Sequence, residues 1–223
     1  MAPACVKRSE RLHLLLPPEA SAFEVQGEPN EHWLLPQERA DLRRATGKRL
    51  REFAGGRSCA RSAIEELGHP PKPLHRRPNR SAAWPAAVIG SITHTPGFCG
   101  AAVLPAALYK GIGIDAENMD RIRPEIERQI FTSTEMAWVR GQDPILRAAL
   151  TTLIFSAKES FYKCQSIITG SWLGFHDIEV GVNVASFSAR LRRPIPFLGL
   201  ENQAWRGCYV FSDRHVFTAI VMS

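Results

Sequence analysis

Residues Gly111 to Glu117 read Gly-Ile-Gly-Ile-Asp-Ala-Glu, an alternation that suits a β-strand. Side chains two apart in a strand share a face. Asp115 and Glu117 therefore project together, while Ile112 and Ile114 point the other way and can anchor the strand in a core. Two carboxylates held that close repel each other unless a cation or a proton lies between them. A hard cation such as Mg²⁺ suits the pair, because it takes carboxylate oxygens at about 2.0–2.1 Å and keeps positions open for water and phosphate. An Asp-x-Glu at a strand end also describes a solvated turn, so the motif needs company.

The chain has 223 residues, enough for one domain or two small ones and for a core without disulfides. Its 22% charged and 44% hydrophobic residues exclude a disordered or a membrane-embedded class. Leu12 to Leu16 is too short and too poorly flanked for a signal peptide, and a cytoplasmic protein is expected. Five scattered cysteines without a Cys-x-x-Cys suggest neither a disulfide framework nor a zinc site. The net charge of +6 implies anionic partners. Basic residues concentrate early: Arg39, Arg43, Arg44, Lys48, Arg49, Arg51, Arg57 and Arg61, then Lys72, Arg76, Arg77 and Arg80.

Leu12 to Leu16 reads as a first strand. A helix is expected from Pro36, with Gln37, Glu38 and Asp41 suiting its positive end and Gly47 breaking it. A second helix is expected from Lys48 to Leu67, bent near Gly55-Gly56 and stopped at Gly68. Arg57 and Arg61, four apart, share a face of it and suit a phosphate. Pro70 to Pro85 reads as an exposed loop. Val88 to His94 and Gly100 to Leu104 form a predicted hairpin.

A long helix is expected from Pro144 to Ile168, apolar around much of its circumference. Phe155, Glu159 and Lys163 recur every four residues and stack along one stripe. Charges on a largely buried helix need partners, and a metal held by Asp115 and Glu117 would supply one. Four strand-like runs follow, near Phe175–Val180, Ala185–Leu191, Gly207–Phe211 and Val216–Met222.

Taken in order, Arg51-Glu-Phe-Ala-Gly-Gly-Arg57-Ser-Cys-Ala-Arg61, Trp84-Pro85, Ser91-Ile-Thr-His94, Gly113-Ile-Asp115-Ala-Glu117 and Phe155-Ser-Ala-Lys158-Glu159-Ser-Phe-Tyr-Lys163 form a recognisable set. The set resembles the 4'-phosphopantetheinyl transferases of the bacterial EntD/Sfp type, including the siderophore-synthase component D-like subgroup. Phe155 stands where the family usually has Trp, and Ser160 where it usually has Ala. The residues before Trp84 also depart from the usual Gly and Pro.

The resemblance implies an α+β fold of two pseudo-symmetric halves, 1–110 and 111–223, each with a small antiparallel sheet and a long helix, and an active site in the cleft between them. It implies transfer of the phosphopantetheine arm of coenzyme A to a serine of an apo carrier protein, releasing adenosine 3',5'-bisphosphate. Mg²⁺ would be held by Asp115, Glu117 and Glu159. Lys163 would stabilise the leaving oxygen, and His94 would hydrogen-bond the diphosphate. Arg57, Arg61 and Arg80 would hold the coenzyme's phosphates, with Ser91 and Thr93 beside them. The serine proton would go to Glu159, or to Glu117 through a metal-bound water. The carrier would belong to a siderophore, non-ribosomal peptide or polyketide synthase and be recognised between Asp120 and Arg140, where Met136 and Trp138 are either exposed or part of the core. The chain would act as a monomer, without nucleic acid or membrane. Two other classes fit parts of the sequence: an Mg²⁺-dependent diphosphate hydrolase, and a basic nucleic-acid-binding module. The second lacks interleaved aromatics and leaves the three acids without a role.

Overall fold

The computed structural model describes residues 4–42, 45, 47–119, 121–193, 204–212 and 214–223. Arg43, Arg44 and Asp120 lie outside the described residues. Two compact units are present: Met1–Lys110 together with Ser223, and Gly111–Met222. Among the described residues no helix is long and apolar enough to cross a membrane.

The first unit contains β1 (Lys7–Arg8), α1 (Glu10–His13), β2 (Ser21–Gln26), a 3-10 turn at Glu31–Trp33, α2 (Pro36–Ala40), α3 (Gly47–Glu66), β3 (Val88–Thr95) and β4 (Phe98–Pro105). Its four strands form an antiparallel sheet in the order β1-β2-β4-β3. Leu12 to Leu16 is not a strand. Ser9 caps α1, its hydroxyl accepting from the Leu12 amide at 3.3 Å, and that cap decides the local conformation in favour of a helical turn that buries Leu12. The first full-length strand comes later, at Ser21–Gln26.

α2 ends at Ala40, and Gly47 opens α3 rather than closing its predecessor. α3 also runs unbroken through Gly55-Gly56. A Cβ at Gly55 would lie 2.6 Å from Pro29 Cγ and 2.9 Å from Cys99 Sγ, and one at Gly56 would lie 2.6 Å from Ile92 Cγ2. The two glycines therefore serve close packing against the sheet, not a bend. Beyond them Cys59, Ala60, Ala63 and Ile64 meet Val25, Val88, Ala101 and Val103 in the core of this unit. The segment between α3 and β3 is mostly exposed, as expected, but it is anchored: Leu74 and Ala82 are buried, and Arg76 bridges to Ala82.

The second unit contains β5 (Gly111–Asn118), α4 (Pro124–Ile130), α5 (Ser133–Arg140), α6 (Arg147–Thr169), a 3-10 turn at Phe175–Asp177, β6 (Ile178–Asn183), β7 (Ser186–Leu191), β8 (Trp205–Phe211) and β9 (His215–Met222). The strands form an antiparallel sheet in the order β5-β9-β8-β7-β6. Ile154, Ala157, Phe161 and Cys164 of α6 pack with Ile178, Val180, Phe187, Ala189, Trp205 and Ile220. Of the two readings open for Met136 and Trp138, the structure shows them partly buried against this core. Met136 lies three residues before the buried Val139 and shares its face of α5. Each unit is thus an antiparallel sheet with one long helix, an α+β architecture.

Candidate active site

Within the second unit, β5 turns Gly113, Asp115 and Glu117 toward α6. The approach is close: a Cβ on Gly113 would fall 1.8 Å from the Ser160 carbonyl oxygen. Asp115 is buried there, 3% exposed. Its Oδ1 accepts from Lys163 Nζ at 2.7 Å and its Oδ2 from Ser156 Oγ at 2.9 Å. Lys163 also donates to the Ile114 carbonyl at 3.1 Å. Ser156 is tied in turn to Thr218 of β9, with 2.9 Å between their hydroxyls. Glu117 is buried beside Asp115, with Arg121 Nε at 3.6 Å.

Glu159 is half-buried on the same helix stripe as Lys163. Burial raises its carboxyl above the ordinary value, Lys163 opposes that shift, and Asp115 adds to it. For Lys163, burial favours the neutral amine, but Asp115 and then Glu159 more than reverse this and hold the ammonium charged.

Asp115, Glu117 and Glu159 are the carboxylates expected to share a metal. Among the described residues no three His, Cys, Asp or Glu side chains are gathered closely enough to hold an ion. The countercharge comes instead from Lys163 on Asp115 and Arg121 on Glu117. The donor chemistry fits Mg²⁺ nonetheless: two buried carboxylates on one strand face are hard oxygen ligands, and Arg121, at half exposure, is a cation that an ion can replace.

Lys158, adjacent to Glu159, has a different task. It is fully buried, with Nζ 2.8 Å from Glu135 Oε2, from the Ile130 carbonyl and from the Phe175 carbonyl. Burial lowers its ammonium while Glu135 pulls it back. Glu135 also receives the Thr132 amide at 2.8 Å and the Val180 amide at 2.7 Å. Sequence reading missed this hub, although Thr132-x-x-Glu135 is a readable capping box.

In the first unit, Arg57 is buried, its Nε donating to the Leu74 carbonyl at 2.8 Å and its guanidinium 4.2 Å from the centre of the Phe53 ring. Among the described residues its buried Nη2 has no hydrogen-bond partner. Burial pushes this guanidinium down to about 10, against the pull of Glu38 and Asp41. Arg61 is bound internally, by the fully buried Glu38 and by the Trp33 carbonyl at 2.7 Å. Glu38 also accepts from the Leu35 and Leu74 amides, each at 3.1 Å. The phosphate expected at Arg61 thus meets an existing ion pair. Arg80, with a left-handed backbone at φ 71°, lines an open concavity with Asp41, Arg76, Arg77 and Pro78.

His94 lies near the end of β3, and strand alternation separates it from Ser91 and Thr93, which are buried on the opposite face. Arg49 Nη1 is 3.0 Å from His94 Nε2. Glu52 Oε2 lies 3.6 Å from that guanidinium and 3.8 Å from His94 Nδ1.

Buried carboxylates beside an ammonium, as the second unit holds them, are groups that phosphoryl transfer uses, and arginines such as those of the first unit are groups that bind phosphate. Residues 37–104 match the 4'-phosphopantetheinyl transferase N-terminal domain, and residues 111–217 match the 4'-phosphopantetheinyl transferase superfamily. The chain is 37% identical to the 4'-phosphopantetheinyl transferase Svp of Streptomyces mobaraensis, covering 85% of this chain and 79% of Svp. It is 32% identical to the 4'-phosphopantetheinyl transferase Npt of Nocardia iowensis, covering 80% and 79%. Enterobactin synthase component D of Escherichia coli K12 is 35% identical, over 63% of this chain and 66% of its own length. The chain belongs to the 4'-phosphopantetheinyl transferases. It is an enzyme that transfers phosphopantetheine from coenzyme A to carrier proteins.

Proposed function

We propose that the acceptor is a serine hydroxyl on a carrier domain of a secondary-metabolite or siderophore synthase, that Mg²⁺ is the cofactor, and that adenosine 3',5'-bisphosphate leaves. The pathway class is supported by the similarity to component D of enterobactin synthase. The chemistry rests on one observation: Lys163 is held on Asp115 at 2.7 Å, on the same helix stripe as Glu159.

Asp115 and Glu117 would hold the ion, with Glu159 as a third ligand or as the base. A bound Mg²⁺ neutralises diphosphate charge. Glu159, whose carboxyl burial makes more basic than usual, takes the serine proton as the new O–P bond forms. Lys163 donates to the oxygen on which the diphosphate P–O bond breaks, and Asp115 keeps that ammonium charged and aimed. His94, Arg49 and Arg57 contact the coenzyme's phosphates, joined by Arg80. Arg61 contributes by fixing the helix that carries Arg57. The enzyme acts as a monomer in the cytoplasm, where its five free cysteines stay reduced.

The test is the intact mass of an apo carrier protein incubated with the enzyme, coenzyme A and Mg²⁺. The expected result is a gain of one phosphopantetheine, lost in EDTA and lost when the carrier serine is replaced by alanine. Activity that survives EDTA would remove the metal from the reading. Release of adenosine bisphosphate without a carrier would make the enzyme a hydrolase.

A further inference from the structure

The guanidinium of Arg49 carries only donors. At 3.0 Å from His94 Nε2 it therefore donates, and that nitrogen presents its lone pair. A neutral imidazole with a bare Nε2 carries its proton on Nδ1. Nδ1 is the nitrogen that faces Glu52 Oε2, at 3.8 Å. The same carboxylate oxygen is 3.6 Å from Arg49 Nη1, so one anion faces both members of the pair.

Glu52 is well placed for this. It stands one turn after Arg49 on α3, the spacing at which helix side chains meet. Its side chain is 20% exposed, against 45% for Arg49 and 39% for His94. The acid is thus set behind two more accessible groups that can receive a ligand. The β4 residue paired with His94 is Cys99, whose thiol burial pushes up to about 12. It is neutral at working pH and leaves the charges of α3 in control.

We propose that Glu52 is a positioning residue for coenzyme binding: it fixes His94 as the Nδ1–H tautomer and pins Arg49 beside it, so that the two meet the coenzyme's phosphates as one preformed receptor. Arg49 keeps further N–H groups for phosphate oxygens, and Glu52 itself touches no ligand. Pre-alignment lowers the cost of ordering two long side chains on binding. The proposal rests on the reading of His94 and Arg49 as coenzyme contacts.

The experiment is ¹⁵N NMR of the His94 ring in the full chain, with KM for coenzyme A and kcat measured on the same samples. The wild type is expected to show Nε2 unprotonated in the neutral ring. Glu52→Ala should allow the other tautomer to appear and raise KM about tenfold, the scale of one hydrogen bond to a charged group, with kcat within about twofold. At 3.8 Å Glu52 acts on Nδ1–H through its charge and not through a hydrogen bond, so Glu52→Gln, which keeps the shape and an oxygen dipole but loses the charge, should recover only part of the tautomer preference and of the KM. A wild-type His94 protonated on Nε2, or a Glu52→Ala variant with unchanged tautomer and KM, would overturn the proposal. Equal losses in Ala and Gln variants with an unaltered tautomer would do the same, because they mark a merely structural acid. His94→Ala separates the underlying reading: an unchanged KM there removes His94 from the coenzyme site, whatever the tautomer data say about Glu52.

Discussion

Lys163 Nζ stands 2.7 Å from Asp115 Oδ1 and 3.1 Å from the carbonyl of Ile114, so one ammonium clamps both the side chain and the backbone of β5 to α6. Asp115 is held a second time by Ser156. Removing Asp115 would free the ammonium proposed to serve the leaving oxygen and delete one of the proposed metal ligands. Asp115→Ala, Glu117→Ala and Glu159→Ala are each expected to lower turnover by on the order of 10²-fold or more. Carrier-loading rates under saturating coenzyme A check this, and a variant with near-normal turnover drops its residue from the site.

Glu159 gives a pH dependence with a definite sign. Its folded carboxyl lies above the ordinary 4.5, through burial first and against the pull of Lys163. The native state therefore keeps this proton when the unfolded chain has lost it, and stability falls as pH rises through the window above 4.5. In EDTA, Glu159→Gln should melt at a higher temperature than wild type at pH 7, with the gap closing toward about pH 4. A gap that stays constant or widens on acidification would contradict the assigned shift. Added stability with lost turnover is the trade expected of a group held uncomfortably for catalysis.

Gly113 permits the approach of β5 to α6. A Cβ there would meet Ser160 O at 1.8 Å and Cys164 N at 2.7 Å, all backbone that no rotamer change can clear. Gly113→Ala should cost about 3 kcal/mol or more, the upper end for overpacking, and should part Lys163 from Asp115. Thermal melts and carrier loading should fall together. Alanine at Gly174, where the nearest atom to the added Cβ is a side-chain carbon at 3.4 Å, serves as the tolerated control.

Arg61 and Arg57 share a helix face but differ in what replacement exposes. Arg61→Ala strands the fully buried Glu38 without its ion partner, a loss on the order of 3 kcal/mol. It should appear in the melting temperature, and Arg61→Ala with Glu38→Gln should recover part of it. Arg57→Ala should instead raise KM for coenzyme A with a smaller effect on kcat. Isothermal titration with coenzyme A separates the two, and a selective loss of coenzyme affinity in a fully stable Arg61→Ala would return Arg61 to the ligand.

Several features of this protein are local in origin, and the chain alone determined them. The alternation at Gly111–Glu117 puts both acids on one face, and the hairpin of β3 and β4 follows from two strand-like runs around a tight turn. The stripe Phe155, Glu159, Lys163 follows from the helical period. Each depends on neighbours within a few residues, so short windows of sequence suffice to see it. The same shortness misled at Leu12 to Leu16, where one serine cap outweighed an apolar run, and at Gly55-Gly56, where the glycines answer to a sheet and not to their own helix.

Only the tertiary structure decided which charges meet. Lys163 and Asp115 are 48 positions apart, Arg49 and His94 45, and Arg61 and Glu38 23. Lys158 and Glu159 are adjacent in sequence, yet helical rotation sends one into a buried ion pair with Glu135 and the other onto the stripe of Lys163. Charged side chains carry no period that names a partner. A buried charge is stable only where packing brings an opposite charge or a hydrogen bond within reach, and that condition is met by the folding of distant segments together.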